Sequence, residues 1–347
     1  MSFATLFQLR SKFSVRPRSA FCSGRCSFAL VIVGGLASLL ASCQPDEPAS
    51  DIVASIPPLT AIAEALTTGT EIACCTELLA SESPHNKRLA PSQLRKLKDA
   101  KIILVDGSEA FAPRILNLLE GEQMLLSLDN YASHTGNRSK ALEAAAAPPI
   151  GDEHHDHSAE HDHQHHQHDE GKQHGLHRWL NSQRMLLLAE RLGLELQTHY
   201  PRSAQKVVSN LAAFRAELAE TDASIAKTLA EFSSSADAPE LLELHRALPE
   251  FASYYGIDVP YFIRDENDQV IGAKAFADLL GKVNKNQNRF CLLASWQHRD
   301  EAKRMAKRLN IRLSYYHLLQ LPEAGSYPAY LRQIGDSISA CSKAPVL

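Results

Sequence analysis

Between Asp152 and His177 the chain reads DEHHDHSAEHDHQHHQHDEGKQHGLH, and nine of the chain's sixteen histidines fall between His154 and His174. They are His154, His155, His157, His161, His163, His165, His166, His168 and His174, interleaved with Asp152, Glu153, Asp156, Glu160, Asp162, Asp169 and Glu170. Imidazole is the commonest side-chain ligand for borderline-soft divalent metals, and nearby carboxylates hold such ions by charge. The tract can therefore gather metal whether or not it folds. It carries almost no apolar residues to offset its ordering entropy, so a disordered loop over about residues 130–174 is expected. Its internal position and acidic mixture distinguish it from an affinity tag.

Of the seven histidines outside that run, four are placed to bind a metal. His85 lies in Ser83-Pro84-His85-Asn86, His177 closes the tract before Trp179, His245 ends the run Leu241 to His245, and His317 follows Ile311 to Tyr315. In open parallel sheets, ligands bind outside the carboxyl ends of the strands, so histidines from separate elements can converge there. Four imidazoles would close a tetrahedral zinc site; three would leave a position for water or a carboxylate. A zinc hydrolase would need a general base beside the metal. Glu82 and Glu243 are near in sequence, but no HExxH helix or comparable signature occurs.

The elements that must hold these histidines alternate. Asp51 to Ile56 is a β-branched run stopped by Pro57-Pro58, so it predicts a buried strand feeding a helix through Glu64 and Leu66. Glu71 to Leu78 predicts a second strand, Ser92 to about Ala100 a helix, and Lys101 to Asp106 a parallel strand covered on both faces. Trp179 to Leu194 has helical spacing. One long helix follows Pro201, with Val207, Leu211, Phe214, Leu218, Ile225, Leu229 and Phe232 at intervals of three, four and seven. Its length, roughly 45 Å at 1.5 Å per residue, would run the height of a two-domain body.

The alternation then resumes. Leu241 to His245, Arg289 to Ser295 and Ile311 to Tyr315 predict strands; Ala247 to Tyr255, Ala273 to Val283, Asp300 to Leu309 and Tyr327 to Cys341 predict helices. The expected fold class is α/β, with an N-terminal lobe over 51–200, a linking helix over 201–232 and a C-terminal lobe over 239–347.

The amino terminus predicts export. Arg10, Lys12, Arg16, Arg18 and Arg25 precede the apolar run Phe28 to Leu40, which is too short to span a bilayer but suits a signal peptide over 1–42. Leu40-Ala41-Ser42-Cys43 resembles a bacterial lipobox. That resemblance implies a lipid on Cys43 and a polar linker over 43–50, placing the protein in the periplasm or at the cell surface as an anchored lipoprotein. Export would leave Cys74, Cys75, Cys291 and Cys341 in an oxidising compartment, where three pairings are possible. Adjacent cysteines in a strand point to opposite faces, so Cys74 and Cys75 are expected to stay buried and free. Cys291 with Cys341 is the preferred bridge, stapling the last helix to a strand. The net charge of -4 and sequence pI near 6.5 give no basic groove for nucleic acid.

Taken together, Ser83-Pro84-His85, the tract 152–174, His177 with Trp179-Leu180, Leu244-His245 with Tyr254-Tyr255-Gly256, and the late cysteines resemble the substrate-binding proteins of zinc and manganese ABC transporters. The resemblance covers about Asp51 to Cys341. It implies two α/β lobes joined by a rigid helix, a metal held between them by His85, His177 and His245, and a bridge from Cys291 to Cys341. Two departures bear on the metal. Where the family often has a Glu in an AEPQF-like run, this chain has Ala294-Ser295-Trp296-Gln297-His298; where it has an Asp before Pro, this chain has Tyr315-Tyr316-His317-Leu318. His317 would thus replace an oxygen ligand, with His298 or water as competing fourth ligands. Imidazole in place of carboxylate favours Zn2+ over the harder manganese. The implied function is capture of zinc and delivery to an ABC permease by a monomer without catalysis; a metal-storage or adhesin-like surface lipoprotein is the alternative.

Overall fold

The computed structural model describes residues 50–79, 88–128, 133–135, 176–322 and 325–347. The signal peptide, Cys43, His85 and the tract histidines 154–174 lie outside the described residues.

The N-terminal lobe is built on a five-stranded sheet. Its strands are β1 (Ile52–Ala54), β2 (Thr76–Glu77), β3 (Ile102–Val105), β4 (Met124–Ser127) and β5 (Ser133–Thr135), in the order β2-β1-β3-β4-β5. The first four run parallel and β5 is antiparallel to β4. Strands β1, β3 and β4 are buried along their whole length, as continuous apolar runs covered on both faces must be. Helices α1 (Pro57–Thr67), α2 (Pro91–Lys98) and α3 (Ala112–Leu118) make the crossovers, each opened by a proline in its first turn.

Helices α4 (Ser182–His199) and α5 (Ala204–Ser234) lead out of this lobe, and the C-terminal lobe carries a second sheet. Its strands are β6 (Glu240–His245), β7 (Tyr261–Arg264), β8 (Phe290–Ser295) and β9 (Arg312–Tyr316), all parallel in the order β7-β6-β8-β9. Its helices are α6 (Pro249–Tyr255), α7 (Ala273–Lys285), α8 (Arg299–Leu309) and α9 (Tyr327–Ser339). No helix among the described residues is long and apolar enough to cross a membrane.

The 31-residue α5, about 46 Å long, joins the lobes. It packs on α1, α4, α6 and α9. Two close approaches set this packing. A Cβ at Gly193 of α4 would stand 3.1 Å from Leu211 of α5, and one at Gly335 of α9 would stand 3.1 Å from Ile225. The buried face of α5 uses Val207, Phe214, Leu218, Thr221, Ile225, Leu229 and Phe232, while Leu211, read from the sequence as part of the same stripe, is half-buried.

The period-two alternation of β6 splits the C-terminal core in two. Leu242 and Leu244 join Leu292, Ala294, Ala302 and Ala306 in a core under α7 and α8. Leu241 turns the other way, into a core shared with the N-terminal sheet, α5 and the aromatic residues of α9. His245 has the parity of Leu241 and so leaves its strand on the side facing the N-terminal lobe.

Several local expectations change. The strand predicted over 71–78 is regular only at Thr76 and Glu77, with single backbone hydrogen bonds from Asp51 to Ala73 and from Leu78 to Ala54 on either side. Cys74 and Cys75 do not stay free. They are half-buried, precede the paired residues rather than alternating in a strand, and are joined to each other as a disulfide between neighbours. The region expected to be disordered from about residue 130 contains β5, which pairs with β4 through Ser133, His134 and Thr135. Cys291 and Cys341 are both fully buried and form a disulfide, tying the 3-10 turn Ala340–Ser342 that follows α9 to β8.

Candidate metal centre

His245 ends β6, at the carboxyl edge where parallel strands leave room for ligands. Its side chain is 5% exposed. The turn that follows is held by Glu243, whose Oε2 accepts the backbone N–H of Ala247 at 2.7 Å and of Leu248 at 3.0 Å. Glu243 is itself buried, and burial pushes its carboxyl up to about 8. The carboxyl shares the parity of His245, and its Oε2 is occupied by the turn.

His177 is fully buried and adopts the left-handed conformation, with φ of 68°. Such a backbone costs a non-glycine residue about 1–2 kcal/mol and survives only where the surroundings determine it. They do so here. Trp179, in the 3-10 turn Arg178–Leu180, packs edge-on against the His177 ring with centroids 5.0 Å apart, and its carbonyl accepts the Tyr327 hydroxyl at 2.8 Å. The backbone N–H of Leu176 faces Glu266 Oε2 at 3.5 Å.

These constraints bring Nε2 of His177 to 3.4 Å from Nε2 of His245, with the rings nearly perpendicular at 84°. The distance is long for a nitrogen to nitrogen hydrogen bond. It matches the roughly 3.3–3.4 Å that two nitrogens 2.0–2.1 Å from one tetrahedral zinc must keep. The separation of the two ring nitrogens is therefore compatible with two ligands on one ion.

A buried acidic cluster lies at the ends of β1 and β3. Glu109 accepts the hydroxyl of Ser55 at 2.5 Å and the backbone N–H groups of Asp106 and Gly107 at 2.9 and 2.7 Å. Asp106 accepts the Ser108 hydroxyl and is fully buried. Burial, reinforced by the Glu109 carboxylate beside it, pushes the Asp106 carboxyl up to about 7; buried Arg178, next to His177, pulls it down.

The remaining histidines lie elsewhere. His317 follows β9, half-buried, with its ring 5.7 Å from that of the exposed Trp296. His298 ends the short turn after β8. Among the described residues no group of three or more His, Cys, Asp or Glu converges as a complete ligand set. Sequence reading missed Asp268, whose Oδ1 lies 3.7 Å from Nδ1 of His245. Its only signal was the polar turn Asp265-Glu266-Asn267-Asp268 after β7.

The high-affinity zinc uptake system protein ZnuA of Yersinia pestis is 27% identical over 326 residues, covering 89% of this chain and 96% of that protein. Among solved structures, a zinc-bound deletion mutant of ZnuA superposes with a TM-score of 0.61 at 17% identity, over 85% of this chain and 98% of that one. A manganese-bound periplasmic metal-binding protein from Candidatus Liberibacter asiaticus gives 0.58 at 12%, over 83% and 99%. These structural likenesses carry the two-lobed α/β fold. Residues 52–341 match the family of the periplasmic zinc-uptake complex component A, and the chain belongs to that family.

Proposed function

We propose that this chain takes up Zn2+ through His177 and His245, completed by His85 and His317, as the periplasmic metal-binding component of an ABC importer. The observation that carries the ligand assignment is the 3.4 Å separation of the two Nε2 atoms, the spacing of two ligands on one tetrahedral ion. His317 follows a strand separated from β6 by β8 alone, about 10 Å across the sheet, and among the described residues it does not converge with the pair, so its place in the ligand set rests on the sequence. A site made of imidazoles suits zinc, which is the cargo of the family, better than manganese.

The finer features of the reading rest on the sequence. A lipid at Cys43 would hold the protein at the membrane beside its permease, and the tract over 152–174 would collect ions at low affinity near the site. The protein works as a monomer and performs no catalysis; the family is a transport component rather than an enzyme class. Palmitate labelling that persists in Cys43→Ala would remove the anchor.

Calorimetry on zinc-stripped protein tests the site. One tight site is expected, preserved when residues 152–174 are deleted and lost in His245→Ala and in His177→Asn, a replacement that tolerates the left-handed backbone. If the deletion abolishes tight binding while His85→Ala and His245→Ala leave it intact, the ligand assignment is wrong.

A further inference from the structure

The loop after β7 brings a carboxylate to the far side of His245. Strand β7 lies beside β6 with Arg264 opposite His245, so the chain leaving β7 passes directly over the end of β6. It then turns sharply. Asp265 Oδ1 accepts the N–H groups of Asn267 and Gln269, both at 2.9 Å, and Asp268 N–H donates to the Asp265 carbonyl at 3.0 Å. The turn returns the chain antiparallel to itself, with Arg264 bridged to Val270. Asp268 occupies its left-handed position, with φ of 62°, a conformation that only glycine, asparagine and aspartate visit readily.

The consequence is an aimed side chain. Although part of Asp268 reaches solvent, its Oδ1 is buried, 3.7 Å from His245 Nδ1 and 3.7 Å from Arg264 Nη1. Arg264 is fixed in turn by Glu301, whose Oε1 accepts from Nη2 at 2.8 Å. The Arg264 charge is thereby balanced by two carboxylates and does not oppose a divalent cation at the histidine pair.

We propose that Asp268 is a positioning residue for zinc capture. It accepts the Nδ1 proton of His245, selects the tautomer that leaves Nε2 bare, and orients that lone pair toward the ion shared with His177. Histidine ligands commonly depend on such a partner, which fixes the ring and raises its basicity. The 3.7 Å separation is longer than a hydrogen bond, and closing it is the one adjustment the pairing requires, with or without the ion. The proposal rests on His177 and His245 being ligands, and it adds a residue that does not touch the ion.

Two variants separate the carboxylate from the turn. Asp268→Gly removes the acceptor and keeps a residue at ease in the left-handed region; Asp268→Asn restores an acceptor of the same shape without charge. Zinc titration of the full chain, competed against a chelator, is expected to show affinity 10- to 100-fold weaker in Asp268→Gly, with most of the loss recovered in Asp268→Asn. Long-range proton–nitrogen spectra of the metal-free protein are expected to show His245 protonated at Nδ1 in the parent and Asp268→Asn, and a mixture of tautomers in Asp268→Gly. Asp268→Gly binding within twofold of the parent, or binding more weakly with the tautomer unchanged, overturns the proposal. His245→Ala in the same titration distinguishes the premise. If that variant retains tight binding, the ligand assignment fails and this proposal with it; if it loses tight binding while Asp268→Gly does not, the positioning role alone fails.

Discussion

Trp179 donates its indole N–H to the hydroxyl of Tyr330 at 3.1 Å, and that hydroxyl donates onward to the carbonyl of Leu318 at 2.6 Å. One tyrosine of α9 therefore links the segment that carries His177 to the segment that carries His317. Tyr330→Phe would leave a buried N–H and a buried C=O without their partner, at a cost of about 1–3 kcal/mol. The expected result is a lower urea midpoint at unchanged slope, with weakened zinc binding. An unchanged midpoint would show that the hydroxyl is not needed.

Asp222 of α5 gathers three hydroxyls: Ser182 of α4 at 2.5 Å, and Tyr255 at 2.5 Å and Tyr254 at 3.1 Å from α6. Burial, together with this carboxylate, drives the Tyr255 phenol far above its ordinary value, so it remains a donor at every accessible pH. Asp222→Ala is expected to destabilise the metal-free protein by about 2–3 kcal/mol, more than a neutral hydrogen-bonding residue would. Chemical denaturation of Asp222→Ala beside Asp222→Asn measures it, the asparagine variant falling between alanine and the parent.

The Asp106 carboxyl gives metal-free stability a definite pH dependence. Its folded pKa, about 7, exceeds the ordinary value of 3.8, so between these values the folded state holds the proton more tightly than the unfolded chain. The stabilisation is fully present below the ordinary value and is lost as pH rises through the folded one. Metal-free protein should become easier to unfold from pH 5 to pH 8, and Asp106→Asn should flatten that slope. Zinc affinity should change in the opposite sense, rising with pH because the ion competes with protons for the ligand nitrogens. A metal-free stability that climbs with pH in the parent and the variant alike would contradict this account.

The bridge between Cys291 and Cys341 closes a loop over a sequence separation of 50 residues. By loop entropy alone it contributes about 4 kcal/mol. The double variant Cys291→Ala, Cys341→Ala should melt at a lower temperature than the oxidised parent and close to the reduced one. Equal melting temperatures for oxidised and reduced parent would show that the bridge adds nothing.

Much of the architecture was legible because parallel strands covered on both faces must be continuous apolar runs. Ile102 to Val105 and Phe290 to Ser295 announce themselves in that way, as does α5 through its three- and four-residue spacing. Short elements were not legible. Strand β7 is a four-residue edge only partly buried, and β5 is a three-residue edge without an apolar pattern. The site divides likewise. His177 and His245 stood out by residue type and by position beside a helix or at a strand end. Asp268 did not, because its approach to His245 depends on the register that sets Arg264 against His245 and on a left-handed turn four residues later. The left-handed backbone of His177 also leaves no trace in residue type.

The buried cluster that begins at Ile52 in the first sheet continues without interruption through Leu192, Phe214 and Ile225 to Tyr327, Ile334 and Cys341. Two sheets do not here mean two thermodynamic domains. Neither lobe can lose its packing without exposing the apolar face of the other, so melting should follow a single cooperative transition rather than two separated ones. A fragment ending before α5 would present the surfaces of α1 and α4 bare to water, and it should aggregate rather than persist as an isolated lobe.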